Sequence, residues 1–311
     1  MALPQVSIDY IDPHTYPKGI AYADNQYLDM SKAKLSILDY GFLHSDATYD
    51  VVHVWKGSFF RLDLYLDRFF SGLEKLHMSI PYSKDEVSRI LHNCVALSGH
   101  KNAYVEMICT RGNSPSFSRD PRDVINRFMA FAVPFGSVSN PKLMKQGTHA
   151  AINPTVRIPP SSIDPSIKNY HWLDLIKGLY DAYSQGGETA ILLDTVGNVT
   201  EGPGFNIFCV KDRTIKTPDL GILPGITRRT VFDLCNTLNI TCEATTVTPA
   251  QLEDADEVFI SSTAGCIMPI TKINQKTIGN GSPGPLFQLL KDAFWEKHEN
   301  SEWSLPINYN G

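Results

Sequence analysis

Two stretches of the chain carry apolar residues at the three-and-four spacing of a helix with one buried face, residues 62–76 and 84–98. Ahead of them, residues 49–55 and 58–61 are β-rich and flank Lys56-Gly57, which reads as a hairpin turn. Residues 103–110 and 128–134 are again β-rich. The first half therefore reads strand, strand, helix, helix, strand, strand. Between its last two strands, residues 111–126 are polar and rich in Ser, Pro and Asp. That predicts a long mobile loop, and loops of such length inside a compact domain usually carry function. Gly136-Ser137-Val138-Ser139-Asn140-Pro141 then breaks the pattern. It places a small N-terminal α/β domain over residues 1–135, a linker over 136–146 and a larger C-terminal α/β domain over 147–311.

The second half opens with a strand at 148–153. Arg157-Ile158-Pro159-Pro160 cannot lie inside a helix, because its two prolines lack amide donors. A helix is predicted over 173–184, strands over 189–193 and 205–210, a helix from about 226 to 238, and strands over 257–261 and 267–273. The last helix, 286–298, presents Leu286, Leu289, Leu290, Ala293 and Phe294 on one face. No internal repeat or low-complexity segment interrupts this order.

Composition narrows the class. The chain has 311 residues, 42% hydrophobic and 20% charged, which is ordinary globular composition for one large domain or two smaller ones. A net charge of −5 gives no basic footprint for nucleic acid. No apolar run approaches the roughly 20 residues of a membrane span, and Met1-Ala2-Leu3-Pro4-Gln5 lacks the features of a signal peptide. The six cysteines show no C-x-x-C spacing and read as reduced thiols of a cytoplasmic enzyme. No nucleic acid, membrane or metal partner is expected.

The chemistry concentrates in two segments. Pro165-Ser166-Ile167-Lys168-Asn169-Tyr170 puts one lysine just ahead of a helix. Thr200-Glu201-Gly202-Pro203-Gly204-Phe205-Asn206-Ile207-Phe208 puts one glutamate at a strand end, followed by two glycines. The pair suits pyridoxal phosphate: the lysine can form a Schiff base with its aldehyde, and the glutamate can hold a proton on its pyridine nitrogen. A Schiff-base lysine must be partly neutral and so desolvated, and Tyr170, Trp172 and Leu173 would supply apolar walls. The rival, Lys177, sits mid-helix three residues after Asp174, where an ordinary ion pair accounts for it. Gly202 and Gly204 would let backbone and cofactor approach closely. Gly225-Ile226-Thr227 opens a helix whose unsatisfied N–H groups suit a phosphate; an ordinary helix start capped by Thr is the plain alternative. Ser262-Thr263-Ala264-Gly265, at a strand end, would add hydroxyl and backbone donors. Gly279-Asn280-Gly281-Ser282-Pro283-Gly284 fits G-x-G-x-x-G, but Pro283 removes an amide and too little chain follows for a βαβ unit, so it reads as a surface loop.

In this order and spacing the motifs resemble the fold-type IV pyridoxal-phosphate-dependent aminotransferases over nearly the whole chain, most of all the (R)-selective amine transaminases of fungal type. The resemblance implies an α/β fold of two domains, like that of the D-amino-acid and branched-chain aminotransferases. It also implies a homodimer with active sites at the interface. The expected reaction is ping-pong transfer of an amino group from an (R)-amine or D-amino acid to a keto acid such as pyruvate. Lys168 matches the family's lysine, before Asn and then Trp-x-Asp-Leu. Glu201 matches the pyridine partner, with Phe205 and Asn206 beside it. Arg68, Ile226, Thr227, Ser262 and Thr263 match cofactor-phosphate positions. His44, Tyr49 and Val51, within Gly41-Phe42-Leu43-His44-Ser45-Asp46-Ala47-Thr48-Tyr49-Asp50-Val51-Val52, match pocket positions, as do Trp172 and Ala264. Tyr104-Val105-Glu106 resembles an aromatic-Val-Glu strand motif of the amine branch. Plain strand packing would equally cover Val51 and Tyr104. Relatives carry an arginine a few residues past Thr-Arg-Gly that clasps the keto-acid carboxylate; here it is displaced to Arg119 or Arg122, and Arg119 is taken. Branched-chain or D-amino-acid aminotransferases, and a lyase of the aminodeoxychorismate type, are the alternatives on the same fold.

Overall fold

In the computed structural model, which describes residues 15–136 and 140–310, the hairpin expected around Lys56-Gly57 forms as strands Ala47–Trp55 and Ser58–Phe60. Lys56 and Gly57 take φ of 49° and 82°, the backbone twist that a two-residue turn between antiparallel strands requires. Ala47–Trp55 is buried along almost its whole length. On its other side it pairs with Ala103–Asn113, which pairs in turn with Ile125–Pro134. Among the described residues these belong to a seven-stranded antiparallel sheet. Its order is Ser304–Pro306, Ser58–Phe60, Ala47–Trp55, Ala103–Asn113, Ile125–Pro134, Ile20–Ala23, Gln26–Asp29. Helices Leu62–Lys75 and Lys84–Ser98 form where the periodicity put them, burying Tyr65, Leu66, Phe69 and Leu73 on one and Val87, Ile90, Leu91 and Val95 on the other. The second helix starts at a capping box of Ser83 and Glu86 and stops at Gly99 in the left-handed region, so local chemistry sets both its ends.

Three elements differ from the sequence pattern. The hairpin of Ile20–Ala23 and Gln26–Asp29 was not foreseen; its turn is Asp24-Asn25, both at positive φ, a conformation Asp and Asn tolerate without glycine's clear signature. The loop expected over 111–126 is shorter, because one strand runs on to Asn113 and its partner begins at Ile125. Arg111 was placed at the head of that loop. It is buried, with Nε 2.8 Å from Asp46 Oδ2 and donors on the carbonyls of Leu76 and His77. Next to it, Gly112 at φ 84° comes so close to Ile125 that a Cβ would lie 1.8 Å from its carbonyl oxygen, where the ladder shifts register. Finally, the stretch taken as a linker contains a short helix, Pro141–Gln146, capped by the Asn140 side chain; residues 137–139 lie outside the described residues.

Residues 15–136, 167–171 and 298–310 pack as one unit, and 140–166 with 172–297 as the other. The sequence pattern drew everything from residue 147 onward as one domain. The chain instead returns twice to the N-terminal unit, at the short segment that carries Lys168 and at its end. The final return is held by Ser304–Pro306 at the sheet edge and by His298, which stacks on Phe60 with ring centres 3.9 Å apart.

The C-terminal unit, among the described residues, is built on a nine-stranded mixed sheet. Its main path runs Cys242–Ala244, Thr214–Thr217, Phe205–Lys211, Glu257–Ser262, Cys266–Ile273, Thr148–Val156, Thr189–Leu193. Glu201–Gly202 pairs with Phe205–Lys211 as a short flap. Ile191, Val199, Phe205, Ile207, Ile260, Met268 and Ile270 form its main core. Helices Leu173–Ser184, Ile226–Leu238 and Pro285–Glu296 cover the sheet. On the last of these Leu289, assigned to the buried face, is 45% exposed, and Phe287 takes its place. At its start the Glu257 carboxylate takes the N–H groups of Leu286 and Phe287 at 3.0 and 2.8 Å. The helix end behind the glycine motif is thus filled by the chain's own carboxylate, which agrees with reading that motif as a loop.

The buried His53 and His298 face each other, Nε2 to Nε2, at 2.7 Å, and His53 Nδ1 has no hydrogen-bond partner among the described residues. Burial first, and His298 second, hold the His53 pKa down to about 3, below the ~6.5 of an unfolded histidine. Its neutral form therefore contributes stability in full above about pH 6.5, and that stability is lost as pH falls toward 3, at up to ~1.4 kcal/mol per pH unit. We expect the urea midpoint to drop from about pH 7 to about pH 5, and His53→Gln, which keeps a donor without titrating, to flatten that drop. An identical pH profile in the variant would remove His53 as its cause.

Candidate active site

Lys168 owes its position to a strand far away in the sequence. The Tyr49 N–H donates to the Lys168 carbonyl at 3.1 Å, Thr48 Oγ1 donates to the same oxygen at 2.8 Å, and Asn169 bridges Thr48. The half-buried Lys168 holds Nζ over the Tyr49 ring, 4.6 Å from its centre. Its amine makes no hydrogen bond or ion pair with the described residues. Tyr49 in turn stacks on Tyr170, centres 4.2 Å apart and planes 12° from parallel.

Pleating puts Tyr49 and Val51 on one face of the sheet, with Glu106 directly opposite Val51 and Tyr104 opposite His53. Glu106 is buried and accepts from Tyr170 Oη at 2.6 Å and Tyr104 Oη at 2.9 Å. Burial pushes the Glu106 carboxyl up from its ordinary value, against the downward pull of the two phenols and of Lys168. Burial, and then the carboxylate, raise both phenols as well. The structure thus brings together Lys168, Tyr49, Val51, Tyr104 and Glu106. Tyr170 joins them as a hydrogen-bond donor rather than a plain apolar wall. Leu173, the other expected wall, is 86% exposed. Trp172 belongs to the C-terminal unit, where it packs on the cluster of Leu175, Ala182 and Leu192.

The C-terminal unit gathers a second group. Buried Glu201 accepts from Arg157 Nε at 3.1 Å on one oxygen and from the Leu223 N–H at 2.9 Å on the other. Arg157 Nη1 also reaches Asp174 at 2.7 Å. Burial works against the Arg157 charge, but Glu201 and Asp174 outweigh it and raise its pKa. Asp174 is therefore taken by Arg157 and not by Lys177, which pairs with Asp181 at 2.7 Å instead. Sequence reasoning missed Arg157 altogether: 44 residues separate it from Glu201, and no periodicity links the two.

Asn206 Nδ2 donates to the Leu223 carbonyl at 2.8 Å, so Glu201 and Asn206 grip the same peptide residue from both sides. Helix Ile226–Leu238 then starts at Gly225 without a side-chain cap, and Thr227, the alternative cap, lies inside the first turn. Uncapped N–H groups at a helix start suit an anion. Asn206 pairs across to Ser261, which brings the turn of Ser262, Thr263 and Ala264 to the same end of the sheet; Ser262 Oγ accepts the Ala264 N–H at 3.3 Å. Two expectations change here. The Phe205 ring lies in the core. Gly202 is required by packing, since a Cβ would meet that ring at 2.1 Å and the Ala190 carbonyl at 2.3 Å.

Of the arginines in residues 15–136, Arg68 is held by Asp50 at 2.8 and 2.7 Å, Arg111 by Asp46, Arg122 by Asp120 at 2.9 and 2.6 Å, and Arg127 by Asp24. Arg119 is exposed and makes no hydrogen bond or ion pair with the described residues. Exposed His44 lies beside Tyr40, ring centres 4.7 Å apart.

The family model of amino-transferase class IV matches residues 47–273, a span that holds every candidate residue except His44. The chain belongs to the class IV aminotransferases. Its cofactor is pyridoxal phosphate, and the residues present fit it: a lysine amine with no hydrogen bond or ion pair to the described residues, a buried carboxylate paired with Arg157, and an uncapped helix start. The aminotransferase is 30% identical over 289 residues to a putative branched-chain-amino-acid aminotransferase of Methanocaldococcus jannaschii, covering 92% of this chain and 98% of that one. It is 28% identical to the D-alanine aminotransferase of Bacillus licheniformis, over 87% and 94% of the two chains. Its fold matches a T.th. branched-chain amino acid aminotransferase with pyridoxamine 5'-phosphate, at TM-score 0.88 and 23% identity over 94% and 100% of the chains. The branched-chain aminotransferase of Thermoproteus uzoniensis with norvaline gives 0.85 and 26% over 93% and 99%. Among the described residues, no helix is long and apolar enough to cross a membrane, and no cluster of His, Cys, Asp or Glu could hold a metal ion.

Arg157→Met would leave buried Glu201 and half-buried Asp174 without this cation. We expect it to lower the unfolding free energy by ~3 kcal/mol, read from urea titration, whereas Lys177→Met at its exposed pair should cost less than about 1 kcal/mol. Equal losses would mean that Arg157 does not sustain Glu201 and Asp174.

Proposed function

We propose that this aminotransferase moves an amino group from an (R)-amine, or a D-amino acid, to a keto acid such as pyruvate. The observation that supports this reading is the wall around Lys168. Its polar group is the Glu106 carboxylate, set among the rings of Tyr49, Tyr104 and Tyr170. With both carboxyl oxygens taken by phenol hydroxyls, this wall offers no cation to a substrate carboxylate, and the rings around it suit an apolar amine. A fixed arginine in that wall would do the reverse, because an apolar amine would leave its charge unpaired. The keto acid brings a carboxylate in the other half-reaction, and Arg119, exposed on the loop 114–124, can meet it there and swing away otherwise.

Pyridoxal phosphate, when bound, supplies an aldehyde for covalent attachment and an electron-poor ring that takes up charge from the reacting carbon. Lys168 Nζ would hold that aldehyde, and the same amine would serve as the base that takes the proton from the substrate carbon and the acid that returns it. Glu201 would pair with the protonated ring nitrogen, with Arg157 and the Leu223 N–H orienting the carboxylate. The N–H groups of Ile226 and Thr227, with Ser262, Thr263 and Arg68, take the phosphate. His44, Tyr49, Val51, Tyr104, Glu106, Trp172 and Ala264 face the substrate. A homodimer with active sites at its interface, in the cytoplasm, belongs to the same reading. The names of the relatives favour a second one, a branched-chain or D-alanine aminotransferase.

Incubating pure protein with pyruvate and (R)- or (S)-1-phenylethylamine tests the proposal, with ketone and alanine expected from the (R) form alone. Faster turnover of L-leucine or D-alanine with 2-oxoglutarate would establish the second reading instead. Arg119→Ala should raise the KM for pyruvate about tenfold, the loss of one charge-assisted contact, and leave that of the amine unchanged. The same split in Arg122→Ala would move the role by three residues. Lys168→Ala should no longer yield a borohydride-reducible adduct with the cofactor; an adduct that persists would assign the chemistry to another lysine.

A further inference from the structure

The loop 114–124 is hydrogen-bonded almost wholly to itself. The Ser118 N–H donates to Ser114 Oγ at 2.9 Å, the Asp120 N–H to Ser118 Oγ at 3.0 Å, and Ser116 Oγ to Asp123 at 2.6 Å. Among the described residues one group outside the loop bonds to it: Tyr40, whose Oη donates to the Ser118 carbonyl. That carbonyl belongs to the planar peptide leading into Arg119, so holding the oxygen fixes the plane from which the Arg119 Cα departs and narrows where the side chain can stand.

Tyr40 is itself firmly seated. It is 4% exposed and opens the short helix Tyr40–Leu43 behind Asp39. Asp39 is fully buried, accepts the Gly41 N–H at 2.7 Å, and accepts Thr110 Oγ1 at 2.8 Å from the strand that leads into the loop. A side chain on Gly41 would collide with Thr110 at 2.7 Å, so the helix sits directly on that strand. The ring edge of Tyr40 meanwhile touches His44.

We propose that Tyr40 is the positioning residue for the acceptor half-reaction. Its hydroxyl sets where Arg119 stands and so how tightly the keto-acid carboxylate is held, while its ring separately supports His44. This rests on the reading of Arg119 as the carboxylate contact. The two parts of Tyr40 can be removed one at a time. Tyr40→Phe takes away only the hydroxyl. It should raise the KM for pyruvate about fivefold, the factor that one neutral hydrogen bond is worth, and speed hydrogen exchange in 114–124. The amine KM, kcat at saturating acceptor and melting temperature should not move. Tyr40→Leu removes the ring too and should raise the amine KM as well. In an Arg119→Ala background, Tyr40→Phe should add nothing, since both act on one contact.

If Arg119→Ala raises the pyruvate KM and Tyr40→Phe does not, the tether is overturned while the arginine reading stands. If Arg119→Ala itself leaves that KM at the wild-type value, the arginine reading fails first. A Tyr40→Phe variant whose melting temperature and both KM values shift together would reduce Tyr40 to a packing residue.

Discussion

Glu201 is a carboxylate buried at the end of a sheet, and much of the C-terminal unit is arranged around the contacts that hold it. Burying a carboxylate is costly unless it is paired and hydrogen-bonded. Arg157 and the Leu223 N–H supply both. The consequences spread outward from those two contacts. Arg157 needs a second carboxylate to offset its own desolvation and takes Asp174 from the start of helix Leu173–Ser184. Leu223 is gripped again by Asn206, which sets the approach of the chain to helix Ile226–Leu238. One buried charge therefore ties together a flap, a helix start and an anion-suited backbone. Such a network adds little net stability over a well-packed apolar substitute; what it secures is orientation.

The N-terminal unit solves the opposite electrostatic problem. Lys168 stands over an aromatic face with no carboxylate bonded to its amine. The nearby carboxylate, Glu106, has its two oxygens taken up by phenols. An amine with no ion pair to the described residues is free to reach an aldehyde, whereas a direct salt bridge would tie it to its partner. The stacked pair of Tyr49 and Tyr170 does two jobs at once: one ring supports the amine, and the other holds the acid at a distance through its hydroxyl.

Where local chemistry is decisive, the sequence was legible. Helix Leu173–Ser184 and strand Thr189–Leu193 fall at the residues expected, because amphipathic spacing and turn residues act over a few positions. Lys168, Glu201 and the Ile226-Thr227 helix start were named from the sequence because the proposed chemistry requires those residue types in that order. The family resemblance, not the pattern, pointed to Tyr49, Glu106 and Arg119. Arg111 fell at the head of the polar stretch read as a loop, and its burial is made tolerable by the Asp46 carboxylate and two backbone carbonyls folded against it.

What the sequence by itself determined was the kind of protein: the two α/β halves, a lysine and a glutamate suited to pyridoxal phosphate, and the order of the elements carrying them. These follow from properties a residue has alone or shares with near neighbours. Only the tertiary structure decided that Arg157 guards Glu201, that Thr48 and Tyr49 pin Lys168, and that Tyr40 tethers the loop of Arg119. Each of these is a contact between residues 44 to 120 positions apart. The side chains involved have other common uses, and their partners are chosen by strand register and burial, neither of which is set until the chain has closed on itself.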